Sequence, residues 1–321
     1  MSNLLITGGA GFIGSHFIKH ILKKGAYKHV INLDALKLDF QHKSLKGIEK
    51  KYPNYLFIRD DICQKSTVEW LVQKCDTVVH FAAESHVDRS ITGAMPFIET
   101  NVLGTCILLE AALKYNIKRF LFVSTDEAYG SVETGESKET DILDPSSVYS
   151  ATKVAGEYLA KAYYKTHKLP VVITRSTNNF GPFQHPEKFI PKAITNFLQG
   201  KKVPVYGKGE NIREWLYVRD NCEAIEFVLQ NGKIGEAYNI GSGTRKKNIE
   251  IVNLILKYLR KDESFIEHVE DRKGHDLRYA VDCTKLYELG WTPKHFSFEE
   301  NLIHTILWYR NNKWWWEPLV K

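Results

Sequence analysis

Tyr149 and Lys153 stand four residues apart in Ser146-Ser147-Val148-Tyr149-Ser150-Ala151-Thr152-Lys153, a spacing that puts both on one face of a helix whose start the serines can cap. An ammonium near a phenol favours the phenolate, so Lys153 is expected to lower Tyr149 from about 10 and make it a usable base near neutrality. Tyr164 and Lys168 repeat the spacing at the far end of the same helix, just before Pro170. Spacing alone therefore does not select a site, and a surface pair is the plain alternative. A second group, Thr125-Asp126-Glu127, offers one hydroxyl and two adjacent carboxylates after the run Arg119 to Ser124. Adjacent loop carboxylates are usually solvated turn residues. At a ligand crevice, unlike environments would drive their pKa values apart and give one acid and one base.

Near the start, Leu4-Leu5-Ile6-Thr7-Gly8-Gly9-Ala10-Gly11-Phe12-Ile13-Gly14 reads as strand, glycine turn and helix start. Missing β-carbons let backbone approach a pyrophosphate, and the N–H groups around Gly8, Gly11, Phe12, Ile13 and Gly14, with the helix dipole, attract its charge. Three glycines alone would fit an ordinary tight turn. The strand before and the helix after them favour a dinucleotide loop. Asp34 closes the second strand twenty positions after Gly14, where a carboxylate can accept hydrogen bonds from an adenosine ribose and repel a 2′-phosphate. The expected cofactor is therefore NAD rather than NADP. Asp61-Ile62 follows the third strand and can border the adenine, although Asp also commonly starts turns.

These residues need a frame, and the periodicity supplies one. Short β-rich runs (Leu4 to Thr7, Val30 to Leu33, Tyr55 to Ile58, Thr77 to Phe81, Arg119 to Ser124, Val171 to Thr174) alternate with helical patterns at Phe12 to Lys24, Thr67 to Lys74, Pro96 to Lys114 and Ser147 to His167. That alternation predicts an α/β fold of the Rossmann type, a doubly wound parallel sheet with a smaller C-terminal substrate-binding domain. Phe120-Leu121-Phe122-Val123 lacks in/out alternation, as expected where helices cover both faces. Ligands in such sheets bind beyond the carboxyl ends of the strands, where Asp34 and Thr125 fall. After Thr174, Gly181, Pro182, Pro186, Pro191 and a Gly207 to Gly209 turn interrupt the pattern before a strand at Ala237 to Ile240. Residues 1–178 with about 211–241 are expected to hold the cofactor, and about 179–210 with 242–321 the substrate. Trp314 to Trp316 reads as packing.

A chain of 321 residues with 43% hydrophobic and 26% charged side chains is a globular protein, neither disordered nor fibrous. Its net charge of +6 is dispersed without a basic run, which argues against nucleic acid as a partner. No apolar stretch approaches the roughly 20 residues needed to cross a bilayer, and no charged leader precedes Leu4, so a cytoplasmic location without a membrane partner is expected. Cys63, Cys75, Cys106, Cys222 and Cys283 form no C-x-x-C pair, so buried, inert thiols are expected rather than disulfides or a metal site.

Taken together these residues resemble the extended short-chain dehydrogenase/reductases, and within them the nucleotide-sugar 4,6-dehydratases, over essentially the whole chain. Thr125-Asp126-Glu127 carries the distinction, because related epimerases lack the acid pair and related decarboxylases have a small polar residue before the Glu. Further matching runs are Ala82 to Ile91, Asn178 to Gln184, Ile212 to Leu216, Tyr238 to Gly241 and Asp271 to Asp276. The chain departs from the family pattern at Ala128, Val148, Phe180, Phe183 and Leu36-Lys37-Leu38.

The resemblance implies a tightly held, recycled NAD contacted also by Ala82, and a nucleoside-diphosphate sugar as substrate. It assigns Tyr149 the O4 proton, Thr125 the steadying of O4, and Lys153 the holding of Tyr149 and the nicotinamide ribose. Glu127 would remove the C5 proton and Asp126, kept protonated, would donate to the departing C6 hydroxyl. Ser85 and His86 are implied beside the sugar, and Asn178, Arg213, Lys188, Asn248 and Arg272 around the diphosphate, where a guanidinium fork suits two oxygens. For Arg213 a surface ion pair with Glu214 is the alternative. The implied substrate is dTDP-glucose, with UDP-glucose or a UDP-amino sugar as alternatives, and the implied assembly is a homodimer through Pro96 to Lys114 and Ser147 to His167. An epimerase or decarboxylase on the same fold, or a catalytically silent NAD-binding module, are the competing functions.

Overall fold

The computed structural model describes residues 2–37, 41–271, 275–294 and 297–320. Seven strands form the main sheet: β1 (Asn3–Thr7), β2 (His29–Asp34), β3 (Tyr55–Arg59), β4 (Thr77–His80), β5 (Arg119–Thr125), β6 (Val171–Ser176) and, late in the chain, Ala237–Ile240. Their spatial order runs β3-β2-β1-β4-β5-β6 with Ala237–Ile240 at the far edge, and every pairing is parallel. The order reverses between β1 and β4, so a crevice opens there beyond the strand ends. Leu4 and Ile6 of β1 enter one core while Leu5 enters another, which places apolar layers on both faces. This is the doubly wound sheet expected from the alternation.

Helix α1 (Phe12–Lys24) buries Phe17, Ile18, Ile21 and Leu22 at helical spacing and ends at Gly25, whose φ of 67° closes it with an N–H bond to the Ile21 carbonyl. Between β4 and β5 the chain runs through Met95–Phe97, a π-helical segment Ile98–Gly104, and α2 (Thr105–Lys114). The stretch Met95–Lys114 is long and apolar enough by composition to span a bilayer, contrary to the sequence expectation. Leu108, Leu109, Ala111 and Ala112 bury into the core on one face of the main sheet, which accounts for that apolarity. Helix α3 (Val148–His167) starts with a capping box in which Ser147 and Ser150 bond each other's backbone N–H at 3.1 Å. That box fixes Tyr149 in the first turn and Lys153 one turn later.

The remaining strands make two small sheets. Strand β7 (Asn178–Phe180) pairs parallel, and Arg245–Lys247 antiparallel, with β9 (Ile212–Tyr217), and β8 (Val203–Tyr206) pairs parallel with Ile266–Val269. Ile212–Tyr217 was expected with the cofactor-binding segment but hydrogen-bonds into the small sheet. Helix α5 (Val218–Asn231), directly after it, returns to the main sheet and packs on α1 and β6. Pro191 does not interrupt the chain as expected. It is the third residue of α4 (Phe189–Leu198), where a missing N–H costs no helical bond. Trp315 and Trp316 are buried packing residues, whereas Trp314 is exposed. All five cysteines are free, and only Cys222 and Cys283 are buried, so burial of all five does not hold.

Candidate active site

The glycine turn and the strand ends converge on one cleft of about 390 Å³. Gly8 has φ +69°, and a β-carbon there would sit 2.5 Å from the Ala82 nitrogen; one on Gly14 would sit 2.4 Å from the Gly8 carbonyl. The turn is therefore closed to any larger residue. Gly11 is the N-cap of α1 and makes no side-chain cap, and the first turn holds no acidic residue, which leaves its N–H groups and dipole facing the cleft. Asp34 accepts from the Ala10 N–H and the Leu36 N–H, both at 2.9 Å. Burial raises its pKa first, Asp61 adds to that, and the two N–H bonds and Lys37 oppose.

Asp61 accepts from the Cys63 N–H at 2.9 Å and lies 3.4 Å from the Lys37 ammonium. Burial pushes Asp61 up, but these partners offset it and hold the carboxylate below its ordinary range. Lys37 also reaches Glu84 at 3.5 Å and Thr100 at 2.9 Å, closing that side of the cleft. Beneath it, His80 bridges Thr7 at 2.7 Å and Thr105 at 3.0 Å, and burial, then Lys153, lowers its pKa to about 3. His80 is thus a neutral tie between β1 and α2.

Thr125 ends β5 and caps the short turn Asp126–Tyr129, its Oγ1 accepting the Glu127 N–H at 3.3 Å. Asp126 is 3% exposed, with Oδ1 taking the Thr125 hydroxyl at 3.3 Å and Oδ2 buried without a hydrogen-bond partner among the described residues. Burial raises Asp126 well above the usual carboxylate range, Glu127 and Glu214 raise it further, and Arg213 and Thr125 only partly oppose. Burial of this kind favours the protonated form of a carboxyl. Glu127, beside it, faces the same cleft as Tyr149 and Lys153.

Lys153 does not act on Tyr149 as the spacing predicts. Its Nζ donates to the Val123 carbonyl at 2.6 Å, over the Phe122 ring at 4.5 Å, and burial lowers its pKa to about 8 against the pull of Glu157. Burial pushes the Tyr149 hydroxyl far up, Glu127 and Asp126 raise it further, and the hydrogen bond with Thr125 opposes them. The two side chains share a helix face, but the ammonium turns toward the sheet.

A family model for GDP-mannose 4,6 dehydratase matches residues 5–305. The chain belongs to the GDP-mannose 4,6-dehydratase family, within the extended short-chain dehydrogenase/reductases. Among curated relatives it is 50% identical over 307 residues to the low-salt glycan biosynthesis protein Agl12 of Haloferax volcanii, covering 96% of this chain and 98% of that one. It is 47% identical over 321 residues to a dTDP-glucose 4,6-dehydratase of Streptomyces niveus, covering 98% and 95%. The solved structure of DesIV, a dTDP-glucose 4,6-dehydratase from Streptomyces venezuelae with NAD and TYD bound, superposes with a TM-score of 0.94 at 45% identity, covering 99% and 100%.

In this dehydratase-family chain the cleft brings together all the cofactor residues read from the sequence, from Gly8, Gly11, Phe12, Ile13 and Gly14 through Asp34, Asp61, Ile62 and Ala82. It also gathers Thr125, Asp126, Glu127, Tyr149 and Lys153 with Ser85, His86, Asn178 and Lys188. Arg213 and Asn248 lie outside its lining, and Arg272 lies outside the described residues. Arg213 is buried over the Tyr279 ring at 4.3 Å and donates to the Ile212 and Asp276 carbonyls at 2.8 Å. Its alternative partner Glu214 is engaged by Arg245 at 3.0 Å and by the Gly243 N–H at 2.9 Å. Asn248 opens the helix Asn248–Leu259, and its N–H donates to the Asn211 carbonyl.

Sequence reasoning missed Glu187, which lines the cleft, and Asn101, which holds the lining residue Glu84. Glu187 gathers Arg89 at 2.6 Å and His86 and His185 at 3.3 Å, while its neighbour Lys188 donates to the Ser85 carbonyl at 2.9 Å. Although burial opposes it, these partners hold Glu187 at about 2. Asn101, in the π-helical segment, accepts the Glu84 N–H and donates to the Glu84 carbonyl and to Thr152 on α3. Charge complementarity between Glu187 and the His86-Arg89 run was readable in principle. The π-helical register that aims Asn101 was not.

Proposed function

We propose that this nucleotide-sugar 4,6-dehydratase uses NAD to convert dTDP-glucose to its 4-keto-6-deoxy product. The observation that carries the reading is Asp126: a buried carboxyl, held by burial well above the usual carboxylate range beside Glu127, with Tyr149 on the same cleft. The closed glycine turn, the uncapped start of α1 and the buried Asp34 fit the pyrophosphate and ribose of a dinucleotide. NAD and TYD bound in the DesIV dTDP-glucose 4,6-dehydratase structure, at 45% identity, support the dinucleotide and a dTDP-sugar.

Bound NAD would be held by the Gly8 to Gly14 turn and Asp34, and would supply a hydride acceptor for sugar C4 and a hydride donor for C6. Within that exchange the chain moves protons. Tyr149 takes the O4 proton while Thr125 steadies the oxygen, and the resulting ketone acidifies C5–H. Glu127 removes that proton, and Asp126 gives its own to the C6 hydroxyl, which leaves as water. A proton then returns to C5, so the sugar loses one water and no external oxidant is consumed. An epimerase or decarboxylase would leave the buried Asp126 beside Glu127 without a task.

Incubating the purified protein with dTDP-, UDP- and GDP-glucose, without added NAD, tests reaction, base and retained cofactor together. The alkali-induced absorbance of a 4-keto-6-deoxy sugar is expected with dTDP-glucose. Faster turnover of UDP- or GDP-glucose would replace the base, an outcome given weight by the 50%-identical glycan-biosynthesis relative. No product from any of the three would remove the reaction.

Asp34 gives a separate test of cofactor choice. Losing hydrogen bonds to a charged acceptor costs about 1.5–3 kcal/mol, so Asp34→Ala should weaken NAD by roughly 10- to 100-fold and erase discrimination against NADP. Calorimetric titration of stripped protein with each dinucleotide reads both. An unchanged preference removes Asp34 from the ribose.

A further inference from the structure

We propose that Tyr129 and Arg175 are positioning residues, a buried brace that holds the Asp126–Glu127 turn in register with the helix carrying Tyr149 and Lys153. The inference rests on the dehydratase reading above. Arg175, 1% exposed on β6, forks onto the Glu157 carboxylate, which is 0% exposed on α3 one turn beyond Lys153. The same guanidinium donates to the Tyr129 hydroxyl and, at 3.2 Å, to the Glu139 carbonyl. The Tyr129 hydroxyl in turn donates to Asn239 Oδ1 at 2.7 Å. Asn239 is pinned on the edge strand Ala237–Ile240 by donating to the Ser137 and Asp282 carbonyls at 2.9 and 3.0 Å. One chain of hydrogen bonds, charge-assisted at the guanidinium, thus joins α3, β6, the edge strand and the acid turn.

Tyr129 is the last residue of that turn, three residues after Asp126. Gly130, directly after it, has φ +74°, and a β-carbon there would meet the Asp144 carbonyl at 2.2 Å, so the exit path is fixed as well. Neither Tyr129 nor Arg175 lines the cleft, and both act through the residues they hold. A buried ion pair is seldom the most stable filling for such a space, since well-packed apolar residues do as well or better. What it supplies here is direction. The fork fixes the guanidinium on the catalytic helix, and the guanidinium fixes the phenol behind the acids. The Glu157 charge also opposes the fall in the Lys153 pKa that burial causes.

The two proton-transfer groups that must act in sequence sit on separate elements, Tyr149 on the helix and Asp126-Glu127 on the turn. A misplacement of about 1 Å can cost about 10²-fold in rate. Loosening the turn should therefore slow elimination more than C4 oxidation. Tyr129→Phe holoenzyme, turning over dTDP-glucose, is expected to keep KM within about twofold while kcat falls roughly 10- to 100-fold. During turnover the near-ultraviolet absorbance of the reduced nicotinamide should build up, because sugar is oxidised but not dehydrated. Arg175→Lys, which keeps the charge and loses the fork, should give the same pattern, and a crystal structure of either variant should show Glu127 displaced.

Wild-type protein that neither reduces its cofactor nor releases product would defeat the dehydratase reading itself. Wild-type turnover with an unchanged Tyr129→Phe, or with kcat lost but no reduced cofactor accumulating, overturns the brace. Failure of both variants to fold assigns the network to stability alone and also overturns it.

Discussion

Glu127→Gln and Asp126→Asn should bind sugar nucleotide as the unaltered protein does and oxidise it at C4, yet release dehydrated product about 10²–10⁴-fold more slowly. Both replacements keep the shape of the side chain and remove its ability to exchange a proton. The loss corresponds to about 3–5 kcal/mol of barrier. Reduced cofactor should therefore accumulate in either variant, and wild-type product release from them would sink the acid–base assignment. Asp126→Asn carries a second, opposite effect. Burial, then Glu127, holds the folded carboxyl well above the 3.8 of a free Asp, so ionisation favours the unfolded chain as pH rises past that value. The contribution of Asp126 to stability is complete below 3.8 and is lost as pH climbs toward the folded pKa. Asparagine does not titrate, so Asp126→Asn should melt higher than wild type at neutral pH, with the gain vanishing near pH 3 to 4. Differential scanning calorimetry across pH reads the sign directly.

Tyr149→Phe should stop the reaction one step earlier. Without the phenol no group takes the O4 proton, so neither reduced cofactor nor product forms, and turnover falls by at least about 10²–10⁴-fold. Stability should change little, since the ring stays. The structure also gives the pH dependence of the intact protein. Burial and Glu127 raise Tyr149, so oxidation requires a proton to leave a reluctant phenol and should quicken as pH rises. Elimination requires Asp126 protonated and should fail as pH passes its own raised value. Stopped-flow measurement of the two phases over pH should show opposite slopes. Parallel slopes would mean that one group serves both steps.

The main sheet was legible because its strands are continuous apolar runs and its helices bury one face, as Phe17, Ile18, Ile21 and Leu22 do on α1. The glycine turn and the acid pair were legible because their residue types have few other uses at strand ends. The small sheets were not: Asn178–Phe180 and Arg245–Lys247 have three residues each, too short for any period to register. Pro191 misled for a definable reason. A proline three residues into a helix looks like a breaker until Lys188 is seen as the cap. The partners of Tyr149 and Lys153 escaped for another, since i, i+4 spacing fixes which face two side chains share and says nothing of a carbonyl at Val123 that competes for the ammonium. Arg213 was expected beside a diphosphate, and its burial over Tyr279 depends on the loop around Asp276, more than sixty residues away.

The alternate side chains of strand Ile212–Tyr217 serve two different interiors. Leu216 sits in the layer under α1 and α5, whereas Trp215 and Tyr217 sit with Phe180 and Phe197 in the other. Neither interior can loosen without dragging the same backbone, so the halves are sewn through one thread rather than joined by a swivel.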